Sequence, residues 1–245
     1  MAQHGATPVS EPIILALENS SMCGSVALVT PNLCLAEHSL TSTTTHSRRL
    51  LGTIQQLLAE TGVGWERIDA IAVSAGPGSF TGLRIGLSTA KGLLMAIAKP
   101  LIAVTSTRTL ASQIGWTTRL ICPVIDARKR EVYTACYRWD GATATTRRVS
   151  EIVAITPEEL ATRIEGEEVI LLGDGSQIYR DLLQERLGQQ VSFASPALFS
   201  LRASALGHAA LAKWESKEFL EPASAIPHYI RASEAEINLP RVTRP

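Results

Sequence analysis

The segment from Ser74 to Gly86 is the stretch whose residue types are best suited to chemistry, because it is rich in glycine and lies between two regular elements. A strand from Ile68 to Ser74 is predicted before it, and a helix from Leu83 to Ala98 after it. Glycines allow a sharp turn and a helix N-terminus favours anions, so this layout indicates a phosphate cradle. The GxGxxxG spacing matches neither the dinucleotide loop nor the GxxxxGK[ST] loop, however, so a tight structural turn is the alternative.

The candidate cofactor ligands are an acidic residue at the end of the first predicted strand and five residues of the glycine-rich turn: Glu18, Gly76, Gly78, Ser79, Thr81 and Gly82. A strand-end carboxylate suits contact with a nucleotide through water, although a merely polar strand end is the competing interpretation. No catalytic residue is assigned, because no Ser–His–Asp or Cys–His arrangement is indicated by order or spacing. No metal site is expected either, because none of the five histidines has a partner at ligand spacing.

Composition limits the classes of function. Lysine plus arginine total 23, as do aspartate plus glutamate, so no broad basic field favours binding nucleic acid by this chain alone. The run Arg128-Lys129-Arg130 remains a local candidate for touching phosphates. The four cysteines lack CxxC spacing and are interpreted as reduced structural thiols. Without a membrane-length apolar run or a secretory core, we expect no membrane association and a cytoplasmic location.

The apolar pattern predicts an α/β chain with two strand-rich halves, each followed by helices, which suggests a duplicated fold. The division we expect is a lead-in at residues 1–12, an N-terminal lobe at 13–105, a C-terminal lobe at 106–232 and a tail at 233–245. The remaining predicted strands are Ile13–Leu17, Gly24–Val29, Leu33–Ser39, Leu101–Val104, Leu120–Ile125, Glu131–Trp139 and Val169–Leu172. The remaining helices are His46–Glu60, Thr107–Ile114, Pro157–Ile164, Gln177–Leu187 and Ser200–Trp214.

Two predicted helices of the first half carry apolar or small residues at three- and four-residue steps, and each set forms one helix face. Packing on their own sheet uses part of these faces, and contact with a partner is the functional interpretation. The candidate interface residues are Leu50, Leu51, Ile54, Leu57, Leu58, Gly86, Ala90 and Leu94.

Several segments resemble, in the same order, those of the TsaB family, also called YeaZ. The similarity spans about Ile13 to Arg231, and no single glycine motif carries it. The matching segments are Ile14–Glu18 with Gly24–Leu28, His46 and its helix, Gly76–Arg84, Ile125–Arg128 with Glu131–Tyr133, and Tyr229–Arg231.

The resemblance implies a two-lobed actin-like (ribonuclease H-like) ATPase fold with mixed sheets and flanking helices. It also implies a heterodimer with TsaD, the paralogue that transfers threonylcarbamoyl to adenosine in tRNA, and a ternary complex that includes the ATPase TsaE. Contact with tRNA is then indirect, and ATP or ADP is expected at the interface with the partner. A homodimer through the same helices is an open alternative when the partner is absent.

The resemblance also indicates a subunit that is not itself the catalyst. TsaD-like proteins bind a metal through an HxxxH pair, and the corresponding positions here are Ser106 and Leu110. The family's usual Asp-Thr at the first strand end is Glu18-Asn19 in this chain, which weakens the expectation of ATP hydrolysis. We therefore predict an accessory subunit that binds and activates TsaD. A stand-alone actin-like ATPase or small-molecule kinase is the alternative, and a peptidase is a weaker one.

Overall fold

Two β-sheets with flanking helices make up the structure. The computed structural model describes residues 11–41 and 47–230, so His46, Arg231, most of the predicted lead-in and the whole predicted tail lie outside the described residues. No helix in these ranges is both long and apolar enough to cross a membrane. The elements are, in chain order, β1 (Ile14–Glu18), β2 (Cys23–Val29), β3 (Cys34–Thr41), α1 (Ser47–Thr61), β4 (Ala70–Gly76), α2 (Phe80–Ile97), β5 (Leu101–Thr105), α3 (Ser106–Ala111), β6 (Leu120–Arg128), β7 (Glu131–Thr134), β8 (Tyr137–Asp140), β9 (Thr145–Arg148), β10 (Val153–Ile155), α4 (Pro157–Arg163), β11 (Val169–Leu172), α5 (Asp174–Ile178), α6 (Arg180–Leu187), β12 (Val191–Phe193) and α7 (Ala203–Glu215).

The first sheet has the order β3-β2-β1-β4-β5. Strands β1, β2 and β3 form an antiparallel meander, whereas β4 and β5 run parallel to β1. Every residue of β1 is buried. Helices cover both faces of the central strands, which is why β1 and the start of β4 are continuous apolar runs and do not alternate with polar residues.

The second sheet repeats this arrangement with the order β10-β7-β6-β11-β12. Strands β6, β7 and β10 are antiparallel neighbours, and β11 and β12 run parallel to β6. Strand β8 also pairs with β6, and β9 pairs with β8. The equal order and directions agree with the duplication that the sequence suggests.

Several elements of the second half differ from the prediction. The strand predicted from Glu131 to Trp139 is two strands, β7 and β8, because the chain bends at Ala135 and Cys136 between its two stretches of pairing with β6. The helix predicted from Gln177 to Leu187 is two helices, and the first already begins at Asp174. The short strands β9, β10 and β12 were not predicted.

Helices cover the two faces of the first sheet from different parts of the sequence. Helices α1 and α2 pack their apolar sides on one face. The other face is covered by α7, whose Ala203, Leu206 and Ala210 lie in one apolar cluster with residues of β1 and β2. The predicted C-terminal lobe at 106–232 includes α7, so the chain returns to the first sheet within that range. Helix α7 therefore falls within the predicted C-terminal lobe by sequence but packs on the sheet of the predicted N-terminal lobe.

Glu37 on the edge strand β3 fixes the start of α7. Its side chain is only 8% exposed and forms an ion pair with Arg202. Its carboxylate also accepts hydrogen bonds from the backbone N–H of Ser204 at 2.9 Å, from the Ser204 hydroxyl at 3.0 Å and from Ser25 Oγ at 3.1 Å. A carboxylate at a helix N-terminus satisfies free N–H groups and complements the helix dipole. Glu37 is thus a cap supplied from another element.

Glu37→Ala should lower the free energy of unfolding by about 2 kcal/mol, because hydrogen bonds to a buried charged group are lost together. Urea denaturation of the full chain measures this. Glu60→Ala is the matched control, since Glu60 also pairs with a base, His38, but is about half exposed and should change stability by less than about 0.5 kcal/mol. Equal losses in the two variants would contradict the capping role.

The Glu37 contribution should also depend on pH. Burial raises the pKa of the Glu37 carboxyl, but the hydrogen bonds from Ser204 and Arg202 outweigh burial and leave the pKa below its ordinary value of 4.5. A folded-state pKa below the unfolded one gives stabilisation that is complete above the unfolded pKa and is lost as pH falls through the folded pKa. The stability difference between wild type and Glu37→Ala should therefore be constant near neutral pH and shrink below pH 4.5.

Candidate functional site

The glycine-rich turn joins β4 to α2, as the sequence predicts. Gly76 ends the strand with a left-handed φ of 94°. Ser79 caps α2, and its hydroxyl accepts a hydrogen bond from the Gly82 amide at 3.2 Å. The Ser79 amide donates to the Ser20 carbonyl at 2.7 Å. The Ser79 N–H is therefore already bonded to the β1–β2 turn and does not remain for a phosphate at the start of α2.

The β1–β2 turn, residues 18–21, lies directly against the glycine-rich turn. A Cβ added at Gly78 would be 2.3 Å from the Ser20 carbonyl oxygen, and one added at Gly82 would be 1.9 Å from that of Asn19. No side chain fits at such distances, so both glycines are required by contact between two backbones. This contact favours the tight structural turn over a phosphate cradle open to ligand.

Glu18 is fully buried, with 0% of its surface exposed. Its Oε1 accepts hydrogen bonds from the backbone N–H of Ser20 at 2.7 Å and from the Ser20 hydroxyl at 2.6 Å. Its Oε2 accepts no hydrogen bond from the residues that the structure describes. Burial raises the pKa of this carboxyl, and the bonds from Ser20 only partly oppose that shift. A buried carboxyl that disfavours its charged form is poorly suited to hold a hydrated metal or a nucleotide.

A chain of serine hydroxyls continues from Glu18 across the first sheet. Ser106 Oγ donates to Ser20 Oγ at 3.0 Å and lies 3.0 Å from Ser74 Oγ. Ser106 is fully buried at the start of α3, and Leu110 lies in the apolar core beside β6. The two positions that correspond to the metal ligands of TsaD are therefore occupied by packed residues, and neither fits a metal. Among the described residues, no group of three or more His, Cys, Asp and Glu side chains is placed to hold a metal ion.

The remaining cofactor candidates divide by exposure. Ser79 and Thr81 are exposed at the start of α2, whereas Gly76 is buried beside Leu83 and the His228 carbonyl. The carbonyl oxygens of Ser20 and Asn19 lie against Gly78 and Gly82, so a nucleotide that contacted these two glycines would have to displace those oxygens. Contact between these residues and a nucleotide stays a prediction.

The second sheet has a similar turn at the end of β11, where Gly173 and Gly175 approach β6. A Cβ at Gly173 would lie 2.4 Å from the Val124 carbonyl oxygen. Asp174 Oδ1 accepts hydrogen bonds from the amides of Asp126 at 3.0 Å and Gly175 at 2.8 Å. Burial raises the pKa of Asp174 above its ordinary value. Both glycine turns are therefore closed by backbone contacts.

The basic run Arg128-Lys129-Arg130 lies in the turn between β6 and β7. All three residues are exposed and have left-handed φ values of 62°, 53° and 60°. The Arg128 guanidinium lies 3.3 Å from the Asp126 carboxylate. The run is thus a charged hairpin tip, and contact with tRNA stays a prediction.

Most of the predicted partner-interface residues face inward. Six are buried in the core between α1, α2 and the first sheet: Leu50, Ile54, Leu57, Leu58, Ala90 and Leu94. Gly86 is buried too, and a Cβ there would meet the Asn19 side chain at 3.6 Å. Only Leu51 is exposed, at 53%. The predicted interface therefore needs correction, because an amphipathic stripe marks a buried face and here the chain's own sheet covers it.

The C-terminal segment completes the site in a way that sequence reasoning missed. The His228 amide donates to the Ala75 carbonyl at 2.7 Å. Arg84 Nε donates to the Tyr229 hydroxyl at 3.0 Å, and the Phe80 and Tyr229 rings lie 5.0 Å apart. The Arg84 guanidinium covers the Phe80 ring at 3.8 Å. The segments that contain Arg84 and Tyr229, 145 residues apart, thus meet at one surface. The sequence indicated this only in that both segments resemble the same family.

Two sheets of the same strand order, each with flanking helices, define a mixed α/β protein, as the sequence predicts. A model of the family described as TsaD: tRNA N6-adenosine threonylcarbamoyltransferase matches residues 35–239. TsaB of Escherichia coli K12 is 35% identical over 178 residues, 70% of this chain and 75% of that protein. TsaB of Bacillus subtilis 168 is 29% identical, over 91% of this chain and 96% of that protein. YeaZ from Pseudomonas aeruginosa superposes with a TM-score of 0.75 at 29% identity, over 89% of this chain and 99% of that one. This chain belongs to the TsaB family and has a role in the biosynthesis of threonylcarbamoyladenosine in tRNA.

Two glycines of α2 test whether backbone contact explains the glycine-rich turn. Gly82→Ala should destabilise the chain by about 2 kcal/mol through overpacking against Asn19. Gly92→Ala, in the same helix, has no atom within 4 Å of the added Cβ and should stabilise it by about 0.5–1 kcal/mol. Thermal and urea unfolding give both values. Equal effects of the two substitutions would refute the required close approach at Gly82.

Proposed function

We propose that this chain is an accessory subunit that binds and activates a TsaD-type transferase and does not itself transfer the threonylcarbamoyl group. The observation that carries the proposal is the packing of Ser106 and Leu110. The Ser106 hydroxyl is hydrogen-bonded to Ser20 and Ser74, and the Leu110 side chain lies in the apolar core. Neither residue offers a metal ligand. The expected cytoplasmic location belongs to the same proposal.

The state of Glu18 supports the same role. A carboxyl that is fully buried and bonded to Ser20 does not face a nucleotide, and the β1–β2 turn is fixed against Gly78 and Gly82. We therefore place the predicted ATP or ADP at the interface with the partner and not in the first sheet of this chain. Contact with TsaE and tRNA follows through the assembled complex.

The partner surface that we propose is the outward face of α1 and α2. On α2, the exposed positions recur at three- and four-residue steps and are Thr81, Arg84, Ser88, Gly92, Met95 and Ala96. Met95 is 89% exposed. A Cβ added at Gly92 would have no described atom outside the helix's own backbone within 4 Å. On α1, Leu51 and Gly52 are likewise exposed. A large apolar side chain beside small residues suits close packing of a second helix.

The direct test of the role is reconstitution. Purified chain mixed with cognate TsaD and TsaE should co-elute with TsaD in size-exclusion chromatography and restore threonylcarbamoyladenosine formation on tRNA. The chain without TsaD should give no modified nucleoside. Modification by TsaD at full rate in its absence, or the lack of any complex, would overturn the proposal.

Met95→Asp should weaken the complex with TsaD at least about tenfold, because a buried charge at an interface is costly. The free energy of unfolding of the isolated Met95→Asp variant should be unchanged, because the Met95 side chain is almost fully exposed. Ile178→Asp is the matched control, since Ile178 is an exposed aliphatic residue on α5 of the second sheet. Binding isotherms should separate the two variants, and equal weakening in both would contradict the proposed surface.

A further inference from the structure

Cys122 on β6 and Cys136 in the bend between β7 and β8 are 14 residues apart in sequence and lie side by side in the second sheet. Cys122 Sγ lies 3.5 Å from Cys136 Sγ. Ile121 pairs with Tyr137, and Val124 pairs with Thr134. The two pairs have the same register on either side of the bend, so Cys136 lies level with Cys122. With their sulfur atoms 3.5 Å apart, the two cysteines need only a small movement to form a disulfide.

The two thiols differ in access to solvent. Cys122 is fully buried in the core of the second sheet, whereas Cys136 is partly exposed. The hydrogen bond from Cys122 lowers the pKa of Cys136 to about 7, although burial opposes this shift. The same hydrogen bond, together with burial, raises the pKa of Cys122 well above its ordinary value. A partly exposed thiol with a lowered pKa therefore lies beside a buried thiol.

We propose that Cys122 and Cys136 form a peroxide-sensitive dithiol site, in which Cys136 reacts first and Cys122 resolves the product to a disulfide. The Cys136 thiolate attacks one oxygen of hydrogen peroxide, the O–O bond breaks and hydroxide leaves, which gives a sulfenic acid. Cys122 sulfur then attacks Cys136 sulfur, the S–O bond breaks, and the leaving hydroxide takes the Cys122 proton as water. Overall, two thiols and one peroxide give one disulfide and two waters. The site is independent of the proposed role with TsaD.

The disulfide would fix the chain where it leaves β7 and enters β8. Cys136 lies between β7 and β8, and its amide donates to Ser150 Oγ at 2.8 Å while its carbonyl accepts from the Val149 amide at 2.8 Å. The sulfur atoms need to approach by about 1.5 Å to reach bonding distance. Oxidation thus locks β6 to the bend between β7 and β8.

The test is titration of the full chain with hydrogen peroxide at pH 7.5. Free thiols counted after denaturation should fall from four to two, and peptide mapping should find a bond joining Cys122 to Cys136 that dithiothreitol reverses. The melting temperature of the oxidised chain should rise by a few degrees. Loss of thiols without this bond, or no loss at all, would overturn the proposal.

Three variants make the assignment specific. Cys136→Ser should abolish disulfide formation, and Cys122→Ser should leave Cys136 as a sulfenic acid that dimedone traps. Cys34→Ser removes an exposed cysteine on β3 and is the matched control, which should still form the bond. Circular dichroism checks that each variant is folded. A Cys122→Ser variant that dimedone labels at Cys34 and not at Cys136 would show that the pair has no special reactivity.

Discussion

The contact between the β1–β2 turn and the glycine-rich turn is the constraint on which the rest of the first sheet depends. Carbonyl oxygens of Asn19 and Ser20 occupy the space that side chains at Gly82 and Gly78 would fill. This contact fixes where α2 begins, and it turns Glu18 inward, toward Ser20 and away from solvent. The C-terminal segment then closes on the same turn through His228 and Tyr229.

The consequence for function is a two-sheet α/β fold in which several polar groups at the end of the first sheet bond to one another. Glu18 Oε2 and the side-chain amide of Asn19 are buried there without a hydrogen-bond partner among the described residues. The carboxyl of Glu18, the hydroxyl of Ser20 and the hydroxyl of Ser106 form one buried chain. Buried polar groups of this kind are costly unless they are bonded, so such a chain favours a rigid local structure over an open site. The outward faces of α1 and α2 remain the surfaces suited to binding another protein.

Much of the first sheet could be predicted from sequence, because its strands are continuous apolar runs and its turns carry glycine, proline or asparagine. The strand, glycine turn and helix around Gly76 are where the pattern predicted them. The short strands β9 and β12 escaped prediction, because four and three partly buried residues give little periodicity. The packing of α7 on the first sheet had no local signal in the sequence. It depends on contacts such as the one between Glu37 and Arg202, which are 165 positions apart.

The candidate site shows the same limit. Sequence spacing identified Gly78 and Gly82 as special positions, but the reason, contact with Asn19 and Ser20, is a tertiary one. The leucine stripe of α1 correctly marked a packed face, yet periodicity does not say whether the chain's own sheet or a partner covers it. For Leu57 and Ile54 the cover is the sheet.

Isothermal titration of the isolated protein with MgATP shows whether the glycine-rich turn is closed on its own chain. The account predicts no saturable heat up to about 1 mM nucleotide, which corresponds to a binding free energy weaker than about −4 kcal/mol. Binding with a micromolar dissociation constant that is lost in Glu18→Gln would contradict it, because that result requires Glu18 and the glycine turn to open to a nucleotide.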